Sequence, residues 1–314
     1  MSPLPALSGS WRGPLAWTIS ILGTLAVAVA IGVRIGVPAS GGSLLQSTYE
    51  IRAALAFVAL GLAFVLRREG SRPERVGLVA LAAALLLTTA IDWAVRRYAT
   101  AAAEPGGILG MSVHGFGLLG RAVRALVGVL LPAFVAGRTL GIGEGLLRVP
   151  NPAARPLAVA VLAGIFLTPS LAAAKKYGGA FERMVHLAVE PGSASPASWP
   201  TVADAFQGLP YALLEQGALG SLLVTLCLSL PAVELLLHGV LRASFGRWGL
   251  LPFVVGTAFC AAILCVDTTV NYSVFVGALA TGLLAARSGS VIPGFVFWQA
   301  VYVGAILWSP LVQG

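Results

Sequence analysis

Charge is nearly absent from about nine stretches of this chain, each close to the roughly 20 residues that a helix needs to cross a hydrocarbon core. Backbone placed in hydrocarbon must satisfy its own N–H and C=O groups, so a run of that length and apolarity is expected to be an α-helix. The runs lie near 15–37, 50–66, 76–95, 122–140, 155–173, 218–240, 250–269, 272–287 and 290–311. With 58% hydrophobic and 10% charged residues over 314 positions, the chain has too little polar surface to coat a water-soluble globule. Its mean hydropathy of +0.90 says the same. The expected fold class is all-α, a polytopic transmembrane helix bundle of about 8–9 spans, multi-pass in the cell (inner) membrane.

The net charge of +8 would suggest a nucleic-acid partner in a soluble protein. Here the arginines cluster between apolar runs and read as topology signals, so no nucleic acid is expected and the lipid bilayer is the first partner. Arg67, Arg68, Arg72 and Arg75 form the densest cluster, and Arg138, Arg148 and Arg155 a second. Placing both on the cytoplasmic side puts the N-terminus inside and the C-terminus outside. Arg96, Arg97, Arg121 and Arg124 then fall in an outside loop, against the rule. The run at 15–37 reads as a retained signal anchor. Cys227, Cys260 and Cys265 lie in apolar runs without CxxC pairing and read as small buried hydrophobes.

A polar interval from Lys175 to about Phe206, with the turn-rich Pro191–Ser198, divides the chain. Residues 1–174 form an N-terminal group of about five transmembrane helices. Residues 175–217 are a polar loop followed by either an interfacial helix or the start of the next span, and 218–314 carry the C-terminal helices. No internal repeat is present at any fixed period.

Two ionisable residues stand inside the apolar run of the C-terminal group. In Pro231-Ala-Val-Glu-Leu-Leu-Leu-His-Gly-Val-Leu-Arg242, Glu234 and His238 are spaced i,i+4 and share one helix face. Ionisable side chains at hydrocarbon depth face a cavity or a partner, which makes this the first place to look for function. The plainer reading is that they pair with each other or with a neighbouring helix. Asp92, beside Trp93 and before Arg96 and Arg97, reads as an interface residue. His114 and Glu144 lie in glycine-containing connections without a phosphate-loop context, and Glu182 with His186 lacks a second His for a metal. No metal or cofactor is expected.

The C-terminal third also carries a resemblance. Val233-Glu234-Leu-Leu-Leu-His238-Gly239-Val-Leu-Arg242, Trp248-Gly-Leu-Leu, Ser273–Leu284 and Ser288-Gly-Ser-Val-Ile-Pro293 together resemble the CPBP family, the CAAX-protease and bacteriocin-processing intramembrane glutamic endopeptidases. The resemblance covers roughly 218–305. It implies a CPBP-like helical core and, in the family pattern, Glu-Glu-x-x-x-Arg, Phe-x-x-x-His and His-x-x-x-Asn or Asp on successive helices. The first Glu and first His would activate water, and the later pair would stabilise the oxyanion. Carried onto this chain, the first Glu falls on Val233, the second on Glu234 and the Arg on His238. The first His falls on Asp267, within Ile263–Asp267, the final His on Gln299 and its partner on Val303.

The motif-equivalent catalytic positions are therefore Glu234, His238, Asp267 and Gln299. Valine cannot accept a proton and glutamine cannot titrate, so the resemblance leaves either a rewired Glu234/His238/Asp267 site or a non-catalytic homologue. Either would handle a membrane-anchored protein or peptide. The stripe Ala278, Gly282, Ala286 reads as a close helix contact, ordinarily within the bundle and alternatively with a substrate helix. Asp267, before Thr268-Thr-Val-Asn271, also reads as a loop or cap residue, and Gln299, between Trp298 and Tyr302 on its helix, as interhelical glue. Outside the family reading stand a small-solute transporter or channel component, and a membrane assembly or immunity factor.

Overall fold

The computed structural model describes residues 52–64, 72–103, 113–142, 154–189, 224–245, 249–264 and 272–313, and among these there is no strand. The helices are α1 (Arg52–Phe64), α2 (Arg72–Ala103), α3 (113–140), α4 (Ala154–Val189), α5 (224–245), α6 (Leu250–Leu264), α7 (Tyr272–Ser288) and α8 (Ile292–Gln313). Four stretches are long and apolar enough to cross a membrane: Arg72–Val95, Phe116–Leu140, Ala154–Leu171 and Thr225–Phe245. The described fold is thus all-α, with the long apolar helices that mark a membrane protein. The apolar parts of α1, α6, α7 and α8 are shorter. The expected run at 15–37 lies outside the described residues.

Local chemistry sets several helix ends. Pro73 and Glu74 open α2, a proline where the missing N–H has no intrahelical use and an acid near the positive end of the helix dipole. Gly141 closes α3 at φ 70°, with its N–H on Arg138 O at 3.1 Å and Ile142 N–H on Gly137 O at 3.0 Å. Ser290 Oγ accepts the Ile292 N–H at 3.1 Å and starts α8.

Two boundaries differ from the sequence expectation. The interval from Lys175, expected to be a polar connector, is helical as far as Val189. Residues 175–189 contain no proline, and Lys175, Lys176, Ala180, Glu182, Arg183, Met184, Leu187 and Ala188 favour helix strongly enough to carry it through Gly178 and Gly179. Arg96 and Arg97 are likewise not in a loop but on α2, because no breaker stands between them and Pro105, and Arg121 and Arg124 are on α3. The connection that separates those helices falls outside the described residues.

α5 is the axis of the bundle. It packs against α2, α3, α6, α7 and α8, and 61% of its apolar window is enclosed by protein, against 33%, 33% and 22% for the other three long stretches. Leu236, Leu237 and Val240 on α5 are completely buried in a core shared with α1, α2, α3, α6 and α7. Leu230, a few residues earlier, joins a second core with Ala160 and Leu171 of α4 and Phe297 and Trp298 of α8. α4 also packs extensively on α8, so helices from 1–174 and from 218–314 pack directly on one another. The outer faces carry large apolar side chains such as Phe57, Phe134, Leu162 and Phe166, each more than half exposed.

α3 and α5 are locally widened into π-helical turns at Arg124–Leu130, Thr225–Ser229 and Leu235–Leu241. The Leu131 N–H reaches Leu126 O and the Leu230 N–H reaches Thr225 O, each five residues back. In both cases a proline follows at once, Pro132 and Pro231. A proline ring crowds the carbonyl four residues before it, and a wider turn relieves that crowding.

Guanidinium groups reach backbone carbonyls of two neighbouring helices. Arg242 of α5 donates to Ala285 O and to Ala286 O (3.2 Å) near the end of α7. Arg52 Nε donates to Ile263 O at 3.1 Å and Arg124 to Leu264 O, the last two described residues of α6. Asp92 neutralises this second group, with its Oδ2 2.5 Å from Arg52 and 3.5 Å from Arg124. Arg→Met at 242 keeps the apolar stem and removes the donors, so it should lower the unfolding stability of the detergent-solubilised protein by about 1–3 kcal/mol. Arg242→Lys should recover part of the loss in the same denaturation assay.

Candidate functional site

The second widened segment of α5 begins directly after Glu234 and includes His238. Pro231 and the packing of Val233, Leu236 and Leu237 fix which face of α5 turns toward α6, α7 and α8. Both ionisable side chains are thereby driven inward, with Glu234 only 2% and His238 only 1% exposed. A charge enclosed this far persists only if it is paired and hydrogen-bonded.

They pair with each other. His238 Nδ1 lies 2.6 Å from Glu234 Oε2, and the indole Nε1–H of Trp298 on α8 donates to Glu234 Oε1 at 2.9 Å. His238 Nε2 lies 3.3 Å from Thr257 Oγ1 on α6. The Thr257 hydroxyl donates to the Phe253 carbonyl at 2.9 Å, which leaves its oxygen to accept from the ring. On that arrangement Nε2 is the ring nitrogen that meets Thr257, and Nδ1 is the one that meets Glu234. The Phe253 ring meets the imidazole edge to face at 6.1 Å.

Two glycines let the neighbouring backbones close over this pair. A Cβ placed on Gly294 of α8 would sit 2.5 Å from Glu234 Oε2, and one on Gly282 of α7 would sit 3.2 Å from His238 Nε2. The pair is thus a four-helix junction in which α5 supplies the ionisable groups, α6 and α8 supply polar partners, and α7 and α8 supply bare backbone.

The candidate residues do not all meet there. Glu234 and His238 do. Gln299 does not: it is exposed on α8, and its Nε2 donates to Leu226 O at 3.2 Å, which is the interhelical role and not that of an oxyanion donor beside Glu234. The reason is register, since successive residues of a helix point about 100° apart and it is Trp298 that faces the carboxylate. Asp267 lies outside the described residues. Val233 is buried in the apolar core at 6% exposure. The stripe Ala278, Gly282, Ala286 is occupied by the chain itself, with Gly282 against His238 and Val254 and the Ala286 carbonyl taken by Arg242, so it offers no bed for a substrate helix.

Sequence reasoning passed over Trp298, Thr257, Gly282 as a contact to His238, and Gly294. Trp298 was visible as a polar-handled aromatic at membrane depth, which needs an acceptor when buried. Nothing in the sequence marked Gly294 as the residue facing a carboxylate. Glu182 and His186 lie on the α4 backbone, His114 lies on α3 and Glu144 is outside the described residues. Among the described residues no three His, Cys, Asp or Glu side chains group in a way that could hold a metal ion. Asp92 serves the Arg52 and Arg124 cluster.

Gly294→Ala should destabilise the protein by about 1–3 kcal/mol through overpacking, and Gly282→Ala by less, because its neighbour is farther away. Trp298→Phe should cost about 1–3 kcal/mol by leaving Glu234 Oε1 without its donor. Equilibrium denaturation of the three variants checks both the sizes and the order.

The chain matches no family model, no curated protein and no solved structure.

Proposed function

We propose that the chain is a CPBP-like integral membrane protein, which keeps the helical bundle of an intramembrane endopeptidase and has given up the hydrolytic chemistry. On this reading it sits in the inner membrane with about eight or nine spans, and engages a membrane-anchored protein or peptide without cleaving it. The resemblance of residues 218–305 motivates the family. One observation carries the loss of catalysis: the Glu234 carboxylate is enclosed, has a protein partner on each oxygen and is capped by the backbone at Gly294.

A hydrolytic carboxylate must touch a water held against the scissile carbonyl. Here the neighbouring position where the family's first Glu falls is Val233, itself in the core, and Gln299 faces Leu226. The geometry favours a pair that joins helices over one that runs a reaction. A transporter reading would need polar groups along a path through the bundle, whereas Glu234 with His238 and Asp92 with its arginines each close on partners within the protein.

The test compares the membrane proteomes of cells lacking the chain, cells with the wild type and cells with Glu234→Gln at matched abundance. Deletion should change the amount or location of a membrane-anchored protein, and Glu234→Gln should not cause any uncleaved precursor to build up. A precursor that accumulates equally on deletion and on Glu234→Gln would establish a peptidase and overturn the non-catalytic reading.

A further inference from the structure

Independently of that reading, we infer that α8 is a fixed strap whose side-chain donors replace the backbone hydrogen bonds that prolines remove from α4 and α5. Pro169 lies inside α4 and has no N–H. In an α-helix that N–H would bond the carbonyl four residues earlier, at Ile165. Trp308 of α8 donates its indole Nε1–H to Ile165 O at 2.9 Å. The donor missing from the chain's own ladder is supplied by the next helix.

The same substitution occurs at Pro231. In the widened turn before it, the Leu230 N–H bonds Thr225 O, five residues back. The next bond of that ladder would run from position 231 to Leu226 O, and Pro231 cannot make it. Gln299 of α8 fills the gap, its Nε2 donating to Leu226 O at 3.2 Å. Two prolines on two helices therefore leave two carbonyls, and both are met by side chains of the same third helix.

The packing is built for this reach. Gly164 of α4 and Gly304 of α8 line the contact. A Cβ on Gly164 would sit 2.6 Å from both Ala300 Cβ and Phe297 O, and one on Gly304 would sit 3.1 Å from Ile165 O. Thr168 adds a bond from α4 to Val301 O at 3.1 Å. Trp298 holds the same strap to Glu234 of α5. Swinging α8 outward would strand the Ile165 and Leu226 carbonyls and the Glu234 carboxylate together in an apolar setting, so α8 is a wall of the bundle and not a moving gate.

The dependence on proline makes this separable from ordinary packing by double-mutant cycles. Trp308→Phe should lower the melting temperature of the solubilised full-length protein. In a Pro169→Ala background, where residue 169 has an N–H for Ile165 O, at least half of that loss should vanish. Gln299→Leu should behave the same way against Pro231→Ala. Should Trp308→Phe alone fail to accumulate, the Pro169→Ala/Trp308→Phe double variant should accumulate. Equal losses with and without the proline, no loss in the proline background, or failure of both single and double variants would overturn the assignment.

Discussion

A carbonyl oxygen enclosed among apolar side chains has no water to turn to, and the bundle is organised around giving such oxygens a donor. Helix formation satisfies most of them without help. The exceptions occur where a helix ends early or where a proline interrupts the ladder, and there the donors come from other helices. Arg242 serves the end of α7, Arg52 and Arg124 serve carbonyls of α6, and Trp308 and Gln299 serve carbonyls upstream of prolines. At α6 two arginines, Arg52 and Arg124, bring donors to the Ile263 and Leu264 carbonyls from other helices.

This use of arginine explains what could and could not be read from the chain. Apolar runs identify helices well, because hydrocarbon permits so few backbone solutions, and the described helices fall on the expected runs to within a few residues, apart from the extensions of α2, α3, α4 and α5. Orientation was harder, because a rule that counts arginines assumes that they lie in loops. Arg124, which stood against the rule, is committed to the Leu264 carbonyl, so it records packing and carries little information about sidedness. A sequence shows an arginine without showing which carbonyl it serves.

The candidate site was half legible for a similar reason. The i,i+4 spacing of Glu234 and His238 suffices to bring them together, since both lie on one helix. Their partners come from α6, α7 and α8, and which residue of each helix faces them depends on rotations that no local pattern encodes. The family register selected Gln299, one residue from the Trp298 that makes the contact. An error of one residue on a helix is a turn of about 100°, enough to exchange a site residue for one that serves a different helix.

The bare backbone at Gly294 and Gly282 bears on how any mutational map of this chain would look. Positions 234, 238, 257, 282, 294 and 298 gather around one buried ionisable pair, so damage at each propagates to the rest. A deep scan that scored only survival or activity would light up this cluster as a compact hot zone containing a glutamate, a histidine and a threonine. It would look like an enzyme's centre while reporting the assembly of four helices. Scoring the quantity of folded protein at each position alongside the phenotype is what would separate a reaction centre from a keystone.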